Sequence, residues 1–318
     1  MEDIKVSVVC CVYNHERYLR KCLESLTSQQ TNFRYEVIVH DDASTDRSAE
    51  IIREFEEKFP NIIVPIYQVE NQYSQGNNPA LIVLKQARGE YIAICEGDDF
   101  WTSEHKLQTQ ADFLDENLDY SMCAHASYYA HEDGSLYSDM FFRPFDSSRE
   151  VMIQEVLDGW NFATNSLVYR KVARKELIIP FRGDCPNGDY ALAVYLALNG
   201  KVYYIDELMS AYRKESVGSL NWVWKEDHTK FIEAREKFIS MLKRINQYTN
   251  YQFSDVLERN IEKYEFSLCM MKGNLKEAKT HTKMYHDLGI WKKCGLWVHH
   301  YCPVAFYFCK RMGIKIKQ

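Results

Sequence analysis

Lys5-Val6-Ser7-Val8-Val9-Cys10-Cys11-Val12-Tyr13 is an almost unbroken apolar run that stops at Asn14. A run with so little polar alternation suits a strand covered on both faces, as in a parallel sheet. That constrains the chain strongly, because parallel neighbours need long crossover connections, usually helical. The next residues supply one: Tyr18, Leu19, Cys22, Leu23 and Leu26 recur at helical spacing between Glu16 and Gln29. Residues 35–40 predict a second strand, ending in Asp41-Asp42-Ala43-Ser44-Thr45-Asp46. Ser44 or Thr45 is placed to cap a helix carrying Ile51, Ile52, Phe55 and Phe59, which Pro60 closes. A third strand over 62–69, a polar loop over 71–79 and a helix over 80–87, ending at Gly89, lead to a fourth strand from Tyr91. Strand and helix alternating in this way predict an α/β fold: a doubly wound, mostly parallel sheet flanked by helices.

The fourth strand, Tyr91-Ile92-Ala93-Ile94-Cys95, runs straight into Glu96-Gly97-Asp98-Asp99-Phe100-Trp101. Three carboxylates within four residues repel one another, and Gly97 is expected to let the backbone bend between them. Hard oxygen ligands of this kind suit Mg²⁺ or Mn²⁺, which complete their shells with substrate phosphates and water. The plainer alternative is a polar turn before the next helix. Company decides between them: in doubly wound sheets ligands bind beyond the carboxyl ends of the strands. Asp41 and Asp42 end the second strand as Glu96, Asp98 and Asp99 end the fourth, so two acidic clusters are expected at one edge.

Other classes are disfavoured. The 45 acidic residues against 39 basic ones give a formal charge of −6, which offers no general attraction for nucleic acid. The ten cysteines contain no C-x-x-C pair, and several fall inside apolar runs, so a zinc site is not expected and a reducing compartment is. His125 and His131 read as structural. No G-x-G-x-x-G follows the first strand, and no G-x-x-x-x-G-K-[ST] occurs: Gly183 and Gly188 have the spacing, but Asp189 stands at the lysine position. Any phosphate would therefore be held through a carboxylate-bound metal. The start of the chain does not read as a secretory leader, no apolar run approaches the ~20 residues of a membrane span, and no N-x-S/T site occurs. A cytoplasmic protein is expected, in solution or peripheral on the cytoplasmic face of a membrane.

Tyr13-Asn14 after the first strand, Asp41-Asp42-Ala43-Ser44-Thr45-Asp46 after the second and Glu96-Gly97-Asp98-Asp99-x-Trp101 after the fourth resemble the motifs of family 2 glycosyltransferases, in order and spacing. The resemblance covers about residues 4–215 and implies the nucleotide-diphospho-sugar transferase (GT-A) fold. It implies that Tyr13 and the backbone of Cys11 and Val12 flank a nucleotide base, that Asp42 accepts a hydrogen bond from base or ribose, and that Asp98 meets ribose or metal. Asp99 would hold the divalent ion on the diphosphate, with Glu96 standing where the family has Asp. The implied donor is a UDP- or GDP-linked sugar, the cofactor Mn²⁺ or Mg²⁺, and the acceptor a glycan or lipid-linked glycan, as in cell-surface polysaccharide synthesis.

Beyond the acidic motif, Leu107, Ala111, Phe113 and Leu114 form a helical face, and residues 120–129 read as a strand. Residues 131–148 read as a loop-rich excursion on the acceptor side; Ser147 or Ser148 would cap a helix through Val156 and Leu157, and residues 165–170 a short strand. Asp189 opens a helix over 191–198, where the residues alone allow a helix N-cap. The family resemblance implies the general base of an inverting transfer at Asp189, with Gly188 replacing the usual Glu; Asp184 is the alternative. Residues 201–205 and 208–212 read as two short edge strands, and Tyr212-Arg213-Lys214-Glu215-Ser216 resembles a Y-R-x-H segment with Glu215 in the histidine position.

The expected division is a catalytic domain over 1–218, with a nucleotide-sugar half to about 103 and an acceptor half from 104, then a helical extension over 219–318. In the extension Phe231, Ala234, Phe238 and Met241 share one face, and Val256, Ile261, Tyr264 and Leu268 another. Residues 289–318 hold no Asp or Glu, six Lys/Arg and six Trp, Tyr or Phe, a composition suited to an anionic membrane surface or to a packed helix with snorkelling lysines. Two other functions fit the fold: a sugar nucleotidyltransferase, which would want a basic glycine-rich loop after the first strand, and an inactive carbohydrate-binding scaffold, which would have lost Asp99 or Asp189.

Overall fold

The computed structural model describes residues 3–159, 161–171, 178–214 and 216–304. The chain forms two compact units: Met1–Ile179 with Asp189–Trp222, and Pro180–Gly188 with Val223–Gln318.

In the first unit, β1 (Ile4–Val12) lies between β2 (Arg34–Asp41) and β4 (Tyr91–Ile94), and β3 (Ile63–Tyr67) pairs with the far side of β2, all parallel. The sheet continues through β9 (Val168–Arg170), β6 (Tyr120–Ala130) and β10 (Lys201–Arg213) to β5 (Phe100–Trp101). β9 is antiparallel to both of its neighbours, β6 and β10 run parallel, and β5 is antiparallel to β10. The expected mostly parallel, doubly wound sheet is present.

Alternation along β1 decides which helices cover which face. Val6, Val8, Cys10 and Val12 enter one apolar cluster with Leu19, Leu23 and Leu26 of α1 (Leu19–Thr27), Ile52 and Phe55 of α2 (Ser48–Lys58) and Leu107, Ala111 and Leu114 of α4 (Lys106–Glu116). The intervening Ser7 turns to the side of α3 (Pro79–Gln86). There its hydroxyl donates to the buried Glu36 carboxylate at 2.6 Å, which also accepts from the backbone and guanidinium of Arg88. A buried carboxylate survives here because every donor around it is supplied.

Four local expectations change. Residues 201–213 form one long strand beside β6, not two edge strands; the register slips between Ile205 and Leu208, where Asp206 and Glu207 bulge out and Asp206 meets Arg143 at 2.6 Å. The predicted loop 131–148 contains β7 (Leu136–Phe142), a hairpin partner of β6 turned at Asp133-Gly134. α2 takes its first turn from Asp46, whose carboxylate accepts from Ser48 N at 2.9 Å, while Ser44 faces Asn14. Ser148 accepts from Asp206 N at 2.8 Å; β8 (Arg149–Val151), antiparallel to β10, separates it from α5 (Ile153–Asp158), so it caps no helix. The remaining helices of this unit include α6 (Gly188–Asn199), with α7 (Leu220–Glu226) at the boundary.

In the second unit Asp227 caps α8 (His228–Tyr248), accepting from Thr229 N and Lys230 N. A turn leads to α9 (Ser254–Lys272), and Phe238 packs edge-on against Tyr264 at 5.1 Å. Ala234, Phe238 and Met241 are buried as the helical spacing predicted. α9 ends at Gly273, whose left-handed φ of 66° and His299 ring at 2.6 Å from the place of a Cβ leave room only for glycine. α10 (Leu275–Ala278), α11 (Thr282–Asp287) and α12 (Ile290–Tyr301) follow.

Candidate active site

The turns after β1 and β2 are laced together. Asn14 N donates to Ser44 Oγ at 2.9 Å, Thr45 N to Asn14 Oδ1 at 2.8 Å, and His15 N to Ser48 Oγ at 2.9 Å. These bonds hold Asn14 and Ala43 at φ of 56° and 58°, a region that costs a non-glycine residue about 1 kcal/mol. Tyr13 is left exposed at the rim, with Val12 buried beneath it and Cys11 half-buried. Asp42 is buried; its oxygens accept from Gln72 N at 2.7 Å and Tyr73 N at 3.0 Å, so it anchors the following loop to the end of β2.

Gly97 N donates to Cys11 O at 3.0 Å, pressing the acidic turn onto the end of β1. A Cβ at Gly97 would stand 2.8 Å from His15 Nδ1 and 2.9 Å from Val12 Cγ2. Close approach therefore requires glycine here, and φ is not left-handed as a sharp bend would want.

Asp99 is fully buried: Oδ1 accepts from Arg213 N at 2.8 Å and Oδ2 from Asn165 Nδ2 at 2.9 Å. Burial and then Asp98 raise its carboxyl well above the usual range. Asp98 is nearly buried; Ser216 Oγ donates to its Oδ2 at 2.5 Å and Arg213 Nε to its carbonyl at 2.7 Å. Arg213 is itself buried, spans to the carbonyls of His131 and Glu132, and lies over Tyr18 and Phe100.

Glu96 is exposed at the edge of the cluster. Desolvation, then the charges of Asp98 and Asp189, push its carboxyl up to about 8. Asp189 thus reaches this cluster from the first turn of α6. Its oxygens accept from Tyr190 N at 2.8 Å and Thr164 Oγ1 at 3.4 Å. Tyr212 also feels the cluster: burial and then Asp99, Glu96 and Asp98 raise its hydroxyl. Asp184, the alternative base, belongs to the second unit and pairs with Lys237 at 3.2 Å. Glu215 lies outside the described residues.

A raised acid pKa has a definite sign. The folded state holds the proton more tightly, so stability is full below the unfolded value near 4.5 and falls as pH rises to about 8. In metal-free buffer Glu96→Gln should therefore gain on the wild type with rising pH, by ~1 kcal/mol above pH 8 after solvent screening. Melting curves from pH 4 to 9 read this; a difference that does not grow with pH would clear Glu96 of the repulsion.

Sequence reasoning missed Asn165, which organises the floor. Besides Asp99 it donates to Ala211 O at 3.0 Å, accepts from Ser210 Oγ at 2.7 Å, and its carbonyl accepts from Trp101 Nε1 at 3.1 Å. Below Trp101 lies the fully buried Lys106, its ammonium 4.2 Å from the ring centroid and 2.8 Å from Gln110 Oε1, its pKa pushed down to about 7 by burial. His125 and His131 stand elsewhere, the first buried against Ala126 O and the second stacked on Tyr137. Among the described residues no three His, Cys, Asp or Glu side chains form a preformed metal cage.

The carboxylates thus lie beyond the ends of β2 and β4, on either side of β1. The family model of glycosyl transferase family 2 matches residues 7–177, and the chain belongs to that family. An uncharacterized protein of Mycobacterium tuberculosis is 35% identical over 237 residues, 72% of this chain and 64% of the relative. The match thus spans a little under two thirds of that relative's length. Among solved structures, S. aureus TarS (residues 1–349) with UDP-GlcNAc superposes with a TM-score of 0.58 at 20% identity, covering 98% of this chain and 92% of that one. A Pyrobaculum calidifontis mannosyltransferase with GDP-Man and Mn²⁺ gives 0.56 at 16%, covering 99% and 86%. These likenesses establish the GT-A type of fold.

Proposed function

We propose that the chain transfers a sugar, with inversion and with a divalent cation, from a UDP- or GDP-linked donor to a glycan or lipid-linked acceptor. The observation that carries this reading is the carboxylate cluster after β4, where Glu96 feels the charges both of Asp98 beside it and of Asp189 in the first turn of α6. Residues 1–218 would form the catalytic domain and 219–318 its extension.

The donor set fits a cation of the Mg²⁺ or Mn²⁺ kind, which needs only one or two carboxylates and takes its other ligands from phosphate and water. Asp99 is closed off by two internal hydrogen bonds, so Asp98 and Glu96 would hold the ion and Asp99 would position them. A bound cation would neutralise charge on the departing diphosphate. Tyr13 and the backbone of Cys11 and Val12 would flank the base, and Asp42 would set the loop beside the ribose. Asp189 would accept the proton of the acceptor hydroxyl as its oxygen attacks the anomeric carbon and the diphosphate leaves from the opposite face.

Titration calorimetry with UDP and GDP, with and without Mn²⁺, beside Asp98→Asn tests the reading. Metal-dependent binding of one nucleotide should fall at least ~10-fold in the variant, the loss expected for a charge-assisted contact. Absence of binding by either nucleotide with metal present would sink it.

A further inference from the structure

α12 has an inner and an outer face, and both are apolar. Gly295, Leu296 and His299 are buried, Leu296 packing with Cys269, Met270, Leu275 and Ala278 within the second unit. A helix docked on one side normally turns polar residues outward. Here Ile290 is 67% exposed, Trp291 74%, Trp297 53% and Tyr301 57%. At the α-helical turn angle Trp297, Ile290, Tyr301, Cys294, Val298 and Trp291 fall, in that order, within one arc of about 120°. Val304 follows just beyond the helix and is also exposed. Scattered apolar residues on a surface need no explanation, but a contiguous aromatic face does.

Charge points to the occupant. From Leu288 to Gln318 the chain carries no Asp or Glu, while Lys292, Lys293, Lys310, Arg311, Lys315 and Lys317 are spread along it. At the same turn angle Lys293 stands about 40° beyond the Trp297 edge of the outer arc and reaches back to His286 O at 2.9 Å, while Lys292 falls on the opposite side of the helix. Trp and Tyr settle at the depth of lipid headgroups, and basic flanks are drawn to anionic lipid. We infer that the outer face of α12 lies on an anionic lipid surface, with Trp291, Trp297 and Tyr301 at headgroup level. The helix rests on the surface and does not cross it: twelve residues reach ~18 Å, against ~30 Å of hydrocarbon. No helix among the described residues is long and apolar enough to cross a membrane. This inference stands apart from the transferase reading, since it rests on α12 of the second unit and on none of the carboxylates of the first.

Sedimentation of the full chain with phosphatidylcholine vesicles, with and without phosphatidylglycerol, tests it. Binding should be at least ~10-fold stronger with phosphatidylglycerol and weaken with salt. The double variant Trp291→Ser, Trp297→Ser should lose ~10-fold or more on the anionic vesicles, and Lys293→Glu a smaller amount. Both keep the buried face of α12, so their melting temperatures should match the wild type. Three results would overturn the inference: no wild-type binding, equal binding by the double variant, or a light-scattering mass of two chains that halves in that variant. The last would assign the face to a second copy.

Discussion

Asp189→Asn is expected to lower turnover by about 10²–10⁴-fold while leaving nucleotide affinity and melting temperature close to wild type. Asparagine keeps the size of the side chain and one of its two acceptor oxygens, and removes the negative charge and with it the capacity to take a proton. One further signature separates a base from a helix-starting residue. Asp189 is one of two negative neighbours that hold Glu96 protonated, so the variant should shift the titration of Glu96 downward. Steady-state kinetics and pH-dependent melting read the two effects separately. Unchanged turnover would leave Asp189 as a part of the helix start and return the choice of base to other groups.

Asn165→Ala is expected to cost about 3 kcal/mol in stability, a large effect for a residue that makes no apolar contribution. The change strips a donor from the buried Asp99 carboxylate and another from Ala211 O, and removes the nearer of two acceptors of Ser210 Oγ, leaving Ser127 Oγ. The cost is one of unmade hydrogen bonds in a dry interior, where water does not substitute. Denaturant titration measures it. Nucleotide affinity should fall too, because the turn that carries Asp98 loses its support. A loss below ~1 kcal/mol would show that the network is filled by water or relaxes freely.

The sheet was readable from the sequence because its strands are apolar on both faces and its helices keep one apolar stripe. The acidic motif was readable because its residues are neighbours in the chain. What stayed hidden is what acts over distance. Asn165 and Asp99 are 66 residues apart, Arg213 and Asp99 114, Ser216 and Asp98 118, and no local period announces such pairs. β7 was missed for another reason: as an outer strand it carries Ser138, Asp139 and Met140 toward solvent, which blurs the alternation that marks a half-buried strand. Its turn signal, Asp133-Gly134, was present all along. In β10 the charged pair Asp206-Glu207 looked like a break between strands, whereas the bulge places both outside the ladder.

The bonds that close over Asp98 and Asp99 also set an order of events during synthesis. The four parallel strands β3, β2, β1 and β4 are complete once residue 94 has emerged, and all their pairings with one another lie within that stretch. The acidic turn gains its backbone clamp only when Arg213 and Ser216 arrive, more than a hundred residues later. Until those residues are made, Asp98 and Asp99 lack these bonds, so the acidic turn is completed only near the end of the first unit.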